Sequence, residues 1–320
     1  MKKNYFINVF YALFSYFYFR LFRKSLNKTN QALVNIYSKD NGIFMSKFHR
    51  LISYNRVKEN NGDITKKKGS IYYNLKKNGY HILNQKIDTN KVNKLIKLAY
   101  NLKCDDGFTK RKFNQNNLTS NRYIFDQNDL INDKTVQSLV MDKFFIKIAR
   151  DYFNSEPIFD MAVMWWSTPF EKEASSEAAQ LYHYDCNGRV KWLKIFVYLT
   201  DVDEKNGPHH YIQGTHKIGS KSKKLLSRGY IRISDDEIKK YYPKDDFKVI
   251  KGAKGTTFAA DTLCWHKGKN LVKGNRLVFE LNYTSSLFGF NNNLVVKKEN
   301  NEFLKFCINN PIYSKNFQFE

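Results

Sequence analysis

The chain has 320 residues, enough to bury a sizeable core in one large domain with extensions. Apolar residues make up 42% and aromatics 16%, which excludes disorder as the main state. Lysine and arginine number 54 against 30 acidic residues, a net charge of +24 that points either to an anionic partner or to the Lys-, Asn-, Ile-, Tyr- and Phe-heavy composition of an AT-rich genome.

Tyr5 to Phe19 is almost wholly apolar or aromatic, broken by Asn8 and Ser15 and closed by Arg20, Arg23 and Lys24. Its 15 residues fall short of the roughly 20 that span a bilayer, and no small-residue cleavage site follows. Two readings stand side by side: a helix lying in a membrane interface, or a helix packed on the protein's own core. Residues 1–70 hold 14 Lys+Arg and 3 Asp+Glu, a balance that favours an anionic membrane surface. Residues 25–68 read as an irregular, basic extension or linker ending in Lys66-Lys67-Lys68. Residues 1–69 are therefore expected to be an N-terminal extension. The four cysteines, Cys104, Cys186, Cys264 and Cys307, show no paired spacing, as expected of buried thiols in a reducing, cytoplasmic setting, with peripheral membrane contact as the added expectation.

From residue 70 the pattern sharpens. Residues 79–83 have strand character, and Thr89 is placed to cap a helix whose Val92, Leu95, Ile96, Ala99 and Leu102 recur at helical spacing. Residues 104–135 are polar and read as loop; a helical stretch is predicted over 136–153. Strands are predicted over 161–166, 192–200, 255–260 and 277–283, with turns at Gly207-Pro208 and Gly214. Helices gathered upstream of loop-separated strands predict a mainly β fold, a jelly roll with N-terminal helices packed on it. The tail over 291–320 reads as peripheral.

Within the strand-rich half lies His183-Tyr184-Asp185, followed 83 residues later by His266 and ten further on by Arg276. Two imidazoles and one carboxylate in this order are the set that holds non-haem Fe(II) on one face, leaving positions for substrate and O2. An arginine just past the distal histidine suits a dicarboxylate co-substrate such as 2-oxoglutarate, because its fork matches a carboxylate in two bonds. Alternation puts Arg276, Glu280 and Asn282 on one face of the last strand. Lys194, alone among aromatics on its strand face, is a second candidate for binding a carboxylate, or a lysine that snorkels to the surface. Trp165, Tyr182 and Asn282 are the candidate substrate-cavity residues, with core packing as the competing reading for the aromatics. His209, His210 and His216, in turn contexts, are expected to be structural or surface residues.

The chain resembles the phytanoyl-CoA dioxygenase family of Fe(II)/2-oxoglutarate oxygenases (PhyH-like) over about residues 70–290. The matching stretches are Asn78-Gly-Tyr-His-Ile-Leu83, His183-Tyr-Asp185, Leu199-Thr-Asp-Val-Asp203 running into Asn206-Gly-Pro208, Gln213-Gly-Thr-His-Lys217, Lys254-Gly-Thr-Thr-Phe258, and the His266…Arg276 pair. It departs in carrying His209-His210 after the Gly-Pro turn, and Val278 where related oxygenases place a hydroxyl. The resemblance implies a double-stranded β-helix core, iron held by His183, Asp185 and His266, 2-oxoglutarate anchored by Arg276, and hydroxylation of a small-molecule or lipid-linked substrate using O2, with succinate and CO2 released. Two alternatives remain beside it. One is a basic membrane- or nucleic-acid-binding protein on a catalytically silent jelly roll, although the dispersed basic residues carry no nucleic-acid motif. The other is a non-oxygenase cupin.

Overall fold

The computed structural model describes residues 2–53, 69–186, 188–291 and 293–320. The Lys66-Lys67-Lys68 run lies outside them. Helix α1 (Lys2–Phe22) leads into α2 (Thr29–Asp40) and α3 (Ile43–Ile52). These three are packed, not irregular: Tyr16, Phe19, Phe48, Leu33 and Tyr37 share a core with Tyr184, Trp265 and Phe288. The sequence reading of 25–68 as linker does not hold over 25–53, because the short helices α2 and α3 draw their stability from this contact rather than from propensity; 54–68 lie outside the described residues.

After α4 (Ser70–Asn78) the chain turns at Gly79, whose φ of +85° is open to glycine at little cost and where a side chain would overlap Cys264 and His216. There follow β1 (Tyr80–Ile82) and α5 (Thr89–Asn101), which is capped by Asp88, not Thr89, through bonds from the backbone N–H of Asn90 and Lys91. The region read as loop holds β2 (Lys103–Asp105), β3 (Lys110–Lys112), β4 (Arg122–Phe125) and α6 (Gln127–Ile131). The helical stretch expected next is two helices, α7 (Lys134–Val140) and α8 (Lys143–Phe153), each started by an aspartate cap.

The long strands then follow. They are β5 (Ile158–Ser167) and β6 (Trp192–Tyr198), with β7 (His209–Ile212) next; short helices α9 (Lys223–Leu226) and α10 (Asp235–Ile238) precede β8 (Phe247–Ile250), β9 (Thr257–Ala260), β10 (His266–Gly268) and β11 (Arg276–Thr284). One sheet runs β1-β9-β6-β11-β5-β4-β2-β3, and a smaller one runs β10-β7-β8. In register, Val278 lies between Trp165 and Tyr198, and Glu280 between Val163 and Phe196. Alternation therefore sends Arg276, Val278, Glu280 and Asn282 to the face that looks at the small sheet. Leu277, Phe279, Leu281 and Tyr283 go to the other face, where they join the helical core with Leu95, Ala99 and Ile148.

The tail is integral rather than peripheral. Strand β12 (Leu294–Val296), helix α11 (Asn301–Asn309) and strand β13 (Phe317–Phe319) bring Leu294, Phe303 and Tyr313 into the same core. Tyr313 accepts from the Phe159 backbone N–H through its carbonyl and donates its hydroxyl to Val140 O. Asn316 donates to Asp160 O at 2.5 Å. Nearby, the fully buried Arg189 bonds Asp160 Oδ1 at 2.7 and 3.1 Å and the carbonyls of Leu287 and Phe290. Trp192 Nε1 donates to Asp160 Oδ2 at 3.0 Å. Because Arg189 has no solvent to fall back on, Asp160→Ala is expected to lower unfolding stability by about 3–5 kcal/mol, measured by urea denaturation.

Candidate metal centre

The segments around His183 and His266 are joined side by side as an antiparallel bridge, with His183 N donating to His266 O at 3.0 Å and His266 N to His183 O at 2.8 Å. Asp185 N donates to Thr262 O at 2.8 Å on the same neighbouring segment, outside the regular register. Alternation puts His183 and Asp185 on the cavity side and sends Tyr182 and Tyr184 the other way. One potential ligand atom from each of His183, Asp185 and His266 falls within 4.8 Å of the others. His183 Nε2 stands 3.9 Å from Asp185 Oδ1, and His266 Nε2 stands 3.8 Å from Oδ2.

Each imidazole is held by its far nitrogen. Nδ1 of His183 donates to Leu181 O at 2.9 Å, and Nδ1 of His266 to Cys264 O at 2.9 Å. A proton on Nδ1 leaves the Nε2 lone pair free and pointed at the shared space, which is the state a metal requires. Burial keeps both rings neutral, with His183 pushed well below the ordinary imidazole value and further lowered by its neighbour His266. Burial by itself would raise the Asp185 pKa, but Lys194 first and then both histidines hold it well below the usual carboxylate range. The donor set and its protonation fit a divalent cation.

Arg276 lies 97% buried on the cavity wall and donates through Nη2 to Ser167 Oγ at 3.0 Å. Its Nε and Nη1 have no partner among the described residues. Burial lowers its pKa to about 10. Beside it Gly268 leaves room: a Cβ there would lie 3.1 Å from Nη2 and 3.5 Å from Nη1. A guanidinium with two open nitrogens and an open flank has the geometry that suits a carboxylate.

The remaining sequence candidates divide. Trp165 lines the cavity. Lys194 does so too, but its Nζ is 3.0 Å from Asp185 Oδ2 and 3.3 Å from Glu280 Oε1, so its charge is engaged by the chain itself and not held open for a co-substrate. Tyr182 packs edge-on to Phe247 in the opposite core. Asn282 is buried farther along the Arg276 face, beyond the cavity lining. His209 lines the cavity, with Nδ1 3.0 Å from Tyr198 Oη, although its turn context pointed to a structural or surface place. Arg122 and Arg232 also line it and carried no motif in the sequence. All four cysteines are buried and free, and burial raises Cys186 and Cys264 to about 12.

The metal cavity measures about 170 Å³ and adjoins a cleft of about 1230 Å³, the two sharing Arg122, Glu177 and Ala178. The cleft runs over Ile124, Met161 and Val163, on the inner face of the large sheet.

Residues 75–273 match the family model for phytanoyl-CoA dioxygenase (PhyH). The chain belongs to that family. It is an Fe(II)- and 2-oxoglutarate-dependent dioxygenase, and its core is the double-stranded β-helix that the two sheets describe. HygX from Streptomyces hygroscopicus, solved with nickel and 2-oxoglutarate bound, is similar in fold at 15% identity, covering 68% of this chain and 86% of its own, with a TM-score of 0.50. AviO1 from Streptomyces viridochromogenes Tue57 aligns at 12% identity over 67% and 93% of the two chains with a TM-score of 0.48. EctD from S. alaskensis aligns at 16% over 73% and 81% with a TM-score of 0.47. No curated protein matches the sequence.

Burial, foremost, also depresses the pKa values of His209, His210 and His216, the last two to about 4. Below about pH 6.5 the unfolded chain takes up protons that the folded PhyH-family protein refuses. Stability of the metal-free protein should therefore fall as pH drops from about 6.5 towards about 4, seen as a steady loss of Tm in a pH series.

Proposed function

We propose that this PhyH-family dioxygenase hydroxylates an unactivated carbon of a small-molecule or lipid-type substrate, with His183, Asp185 and His266 as the iron ligands and Arg276 as the anchor for the distal carboxylate of 2-oxoglutarate. The observation that carries this reading is the convergence of three ligand atoms within 4.8 Å beside a buried guanidinium whose Nε and Nη1 are unpartnered among the described residues. Iron(II), when bound with 2-oxoglutarate and O2, supplies the oxidation, releasing succinate and CO2.

The chain's own groups do the rest. Leu181 O and Cys264 O keep both Nε2 lone pairs aimed inward. Lys194 occupies one side of the Asp185 carboxylate and fixes its rotation. Trp165 and Phe196 wall the cavity and limit water around the reacting carbon. Residues 70–290 form the catalytic domain in this reading, with 1–69 and 291–320 as its N-terminal extension and C-terminal tail.

Anaerobic titration with Fe(II) and 2-oxoglutarate should produce a visible charge-transfer band in the wild type. His183→Ala should lose it, Asp185→Ala should lose turnover, and Arg276→Ala should need at least about tenfold more 2-oxoglutarate, as removal of a charge-assisted pair implies. No band in folded wild-type protein would overturn the reading.

A peripheral place at an anionic membrane surface is part of the same proposal, and α1 supports it. Its inner side, Ala12, Tyr16 and Phe19, packs on the protein, while Phe6, Phe10, Phe14, Phe17 and Leu21 form an outer ridge 55–77% exposed. The helix has no acidic residue, and Arg20, Arg23, Lys24 and Lys28 sit exposed at its C-terminal end. An aromatic ridge with basic flanks is the makeup of an interfacial helix, each added cation contributing about 1 kcal/mol at such a surface. Among the described residues no helix is long and apolar enough to cross a membrane. The wild type should co-sediment with phosphatidylserine–phosphatidylcholine vesicles and much less with phosphatidylcholine alone, and the double change Phe10→Ser with Phe17→Ser should cut binding at least fivefold; equal, weak sedimentation with both lipids would remove this part of the reading.

A further inference from the structure

Four cations line the metal cavity: Arg122, Lys194, Arg232 and Arg276. Lys194 is neutralised by Asp185 and Glu280, and Arg276 is assigned above to the co-substrate. The acids lining the cavity are Asp185 and Glu280, already spent on Lys194, and Glu177, which is exposed. Arg122 and Arg232 are left over. Neither makes an ion pair among the described residues, Arg122 Nε is buried without a partner, and so is Arg232 Nη1.

Their placement is built rather than incidental. Arg122 opens β4 opposite Ser167, which is itself opposite Arg276, and its guanidinium lies 4.7 Å from the centre of the Trp165 ring. Arg232 comes from the far wall. Ile233 and Tyr182 form a two-bond bridge, 2.9 Å each way, with both side chains in the outer core. Alternation then puts Arg232 on the same side as His183. Two guanidiniums thus face the metal cavity from separate elements, and Arg122 also borders the cleft by which the cavity opens outward. Both side chains are half-buried, yet each holds a guanidinium nitrogen buried without an acceptor; that is costly, and a cost compensated only when substrate arrives reads as a receptor.

We propose that Arg122 and Arg232 form an anion subsite, so that the primary substrate carries one acidic group, a carboxylate or a phosphate monoester, bound next to the metal while its body extends into the cleft. This rests on the oxygenase reading. The cleft body-site is not a polyanion site: six acidic residues line it against Lys103, Lys110 and Arg122, with Ile124, Met161 and Val163 between them. A carrier bearing several phosphates would be repelled there, whereas a single acid at the inner end, on a neutral or apolar body, matches both regions. Hydroxylation would then fall on a carbon close to the acidic group.

The test uses the full chain loaded anaerobically with Fe(II) and 2-oxoglutarate, titrated with octanoate, n-octyl phosphate and octanol, and followed by calorimetry and by the charge-transfer band. One of the two anions is expected to bind at least tenfold more tightly than octanol and to perturb the band, and which one binds separates carboxylate from phosphate. Arg232→Gln should weaken that anion at least tenfold and shift the 2-oxoglutarate Kd by less than about threefold, and Arg232→Lys should restore part of the loss. Arg122→Gln should weaken the anion likewise. Equal binding of octanol, no binding of either anion, or an Arg232→Gln effect confined to 2-oxoglutarate would each overturn the subsite while leaving the oxygenase reading in place. Loss of that reading shows separately, as absence of the band in wild type before any probe is added.

Discussion

Two backbone hydrogen bonds between His183 and His266 hold the centre together. They close a loop of more than eighty residues, and every feature of the site is referred to that closure. The bridge sets both imidazoles on one side at 4.3 Å between ring centroids and leaves Tyr182 and Tyr184 for the opposite core. The Asp185–Thr262 bond ties the backbone of the carboxylate residue to the same neighbouring segment, two residues past the regular register, and Lys194 holds the carboxylate itself at 3.0 Å. A slip of one residue in this pairing would exchange ligands for tyrosines. The bridge in turn depends on packing behind it: Trp265 donates through its backbone N–H to Thr215 Oγ1, and Tyr184 lies edge-on to Trp265 at 4.8 Å.

The helices of the N-terminal extension act on the site through that same outer core. Tyr37 of α2 stacks obliquely on Tyr184 at 5.3 Å, and the buried Lys221 ammonium bonds the Tyr37 hydroxyl at 2.8 Å while lying over both rings. Asn41 donates to Lys221 O at 2.8 Å. The segment between the two metal-side residues His183 and Asp185 is thus supported by a layer that lies outside the stretch matched to the family. In this way α1 has its inner side committed to the protein while its outer ridge remains uncovered.

Electrostatics inside the cavity follow one rule: charges the chain can satisfy are satisfied, and those it leaves open face the reaction space. Lys194 bridges two carboxylates, and Asp160 with Arg189 forms a closed buried pair elsewhere. Among the described residues, Arg276, Arg122 and Arg232 keep unpartnered nitrogen atoms around the same cavity. Guanidinium nitrogens buried without acceptors carry a folding cost.

Local pattern was enough to read much of this protein from sequence. The order and spacing of His183, Asp185, His266 and Arg276 pointed to iron and 2-oxoglutarate because those residue types suit that chemistry, and the strands β5, β6, β9 and β11 declared themselves by runs of β-branched and aromatic residues. The flanking motifs added the family. What was misread depended on partners distant in sequence. Helices α2 and α3 and the tail strands are short and set among Asn- and Lys-rich stretches that look like linker, and they are ordered by burial against Phe288, Tyr184 and Phe159. Lys194 looked like a free cation until folding set it between Asp185 and Glu280, and Arg122 and Arg232, separated by 110 residues, had nothing in the sequence to pair them. Chain sequence by itself determined which residue types were available for metal and carboxylate binding. Only the tertiary structure decided which charges cancel and which stay open, because that balance is a matter of distances of a few ångströms between residues that the chain holds far apart.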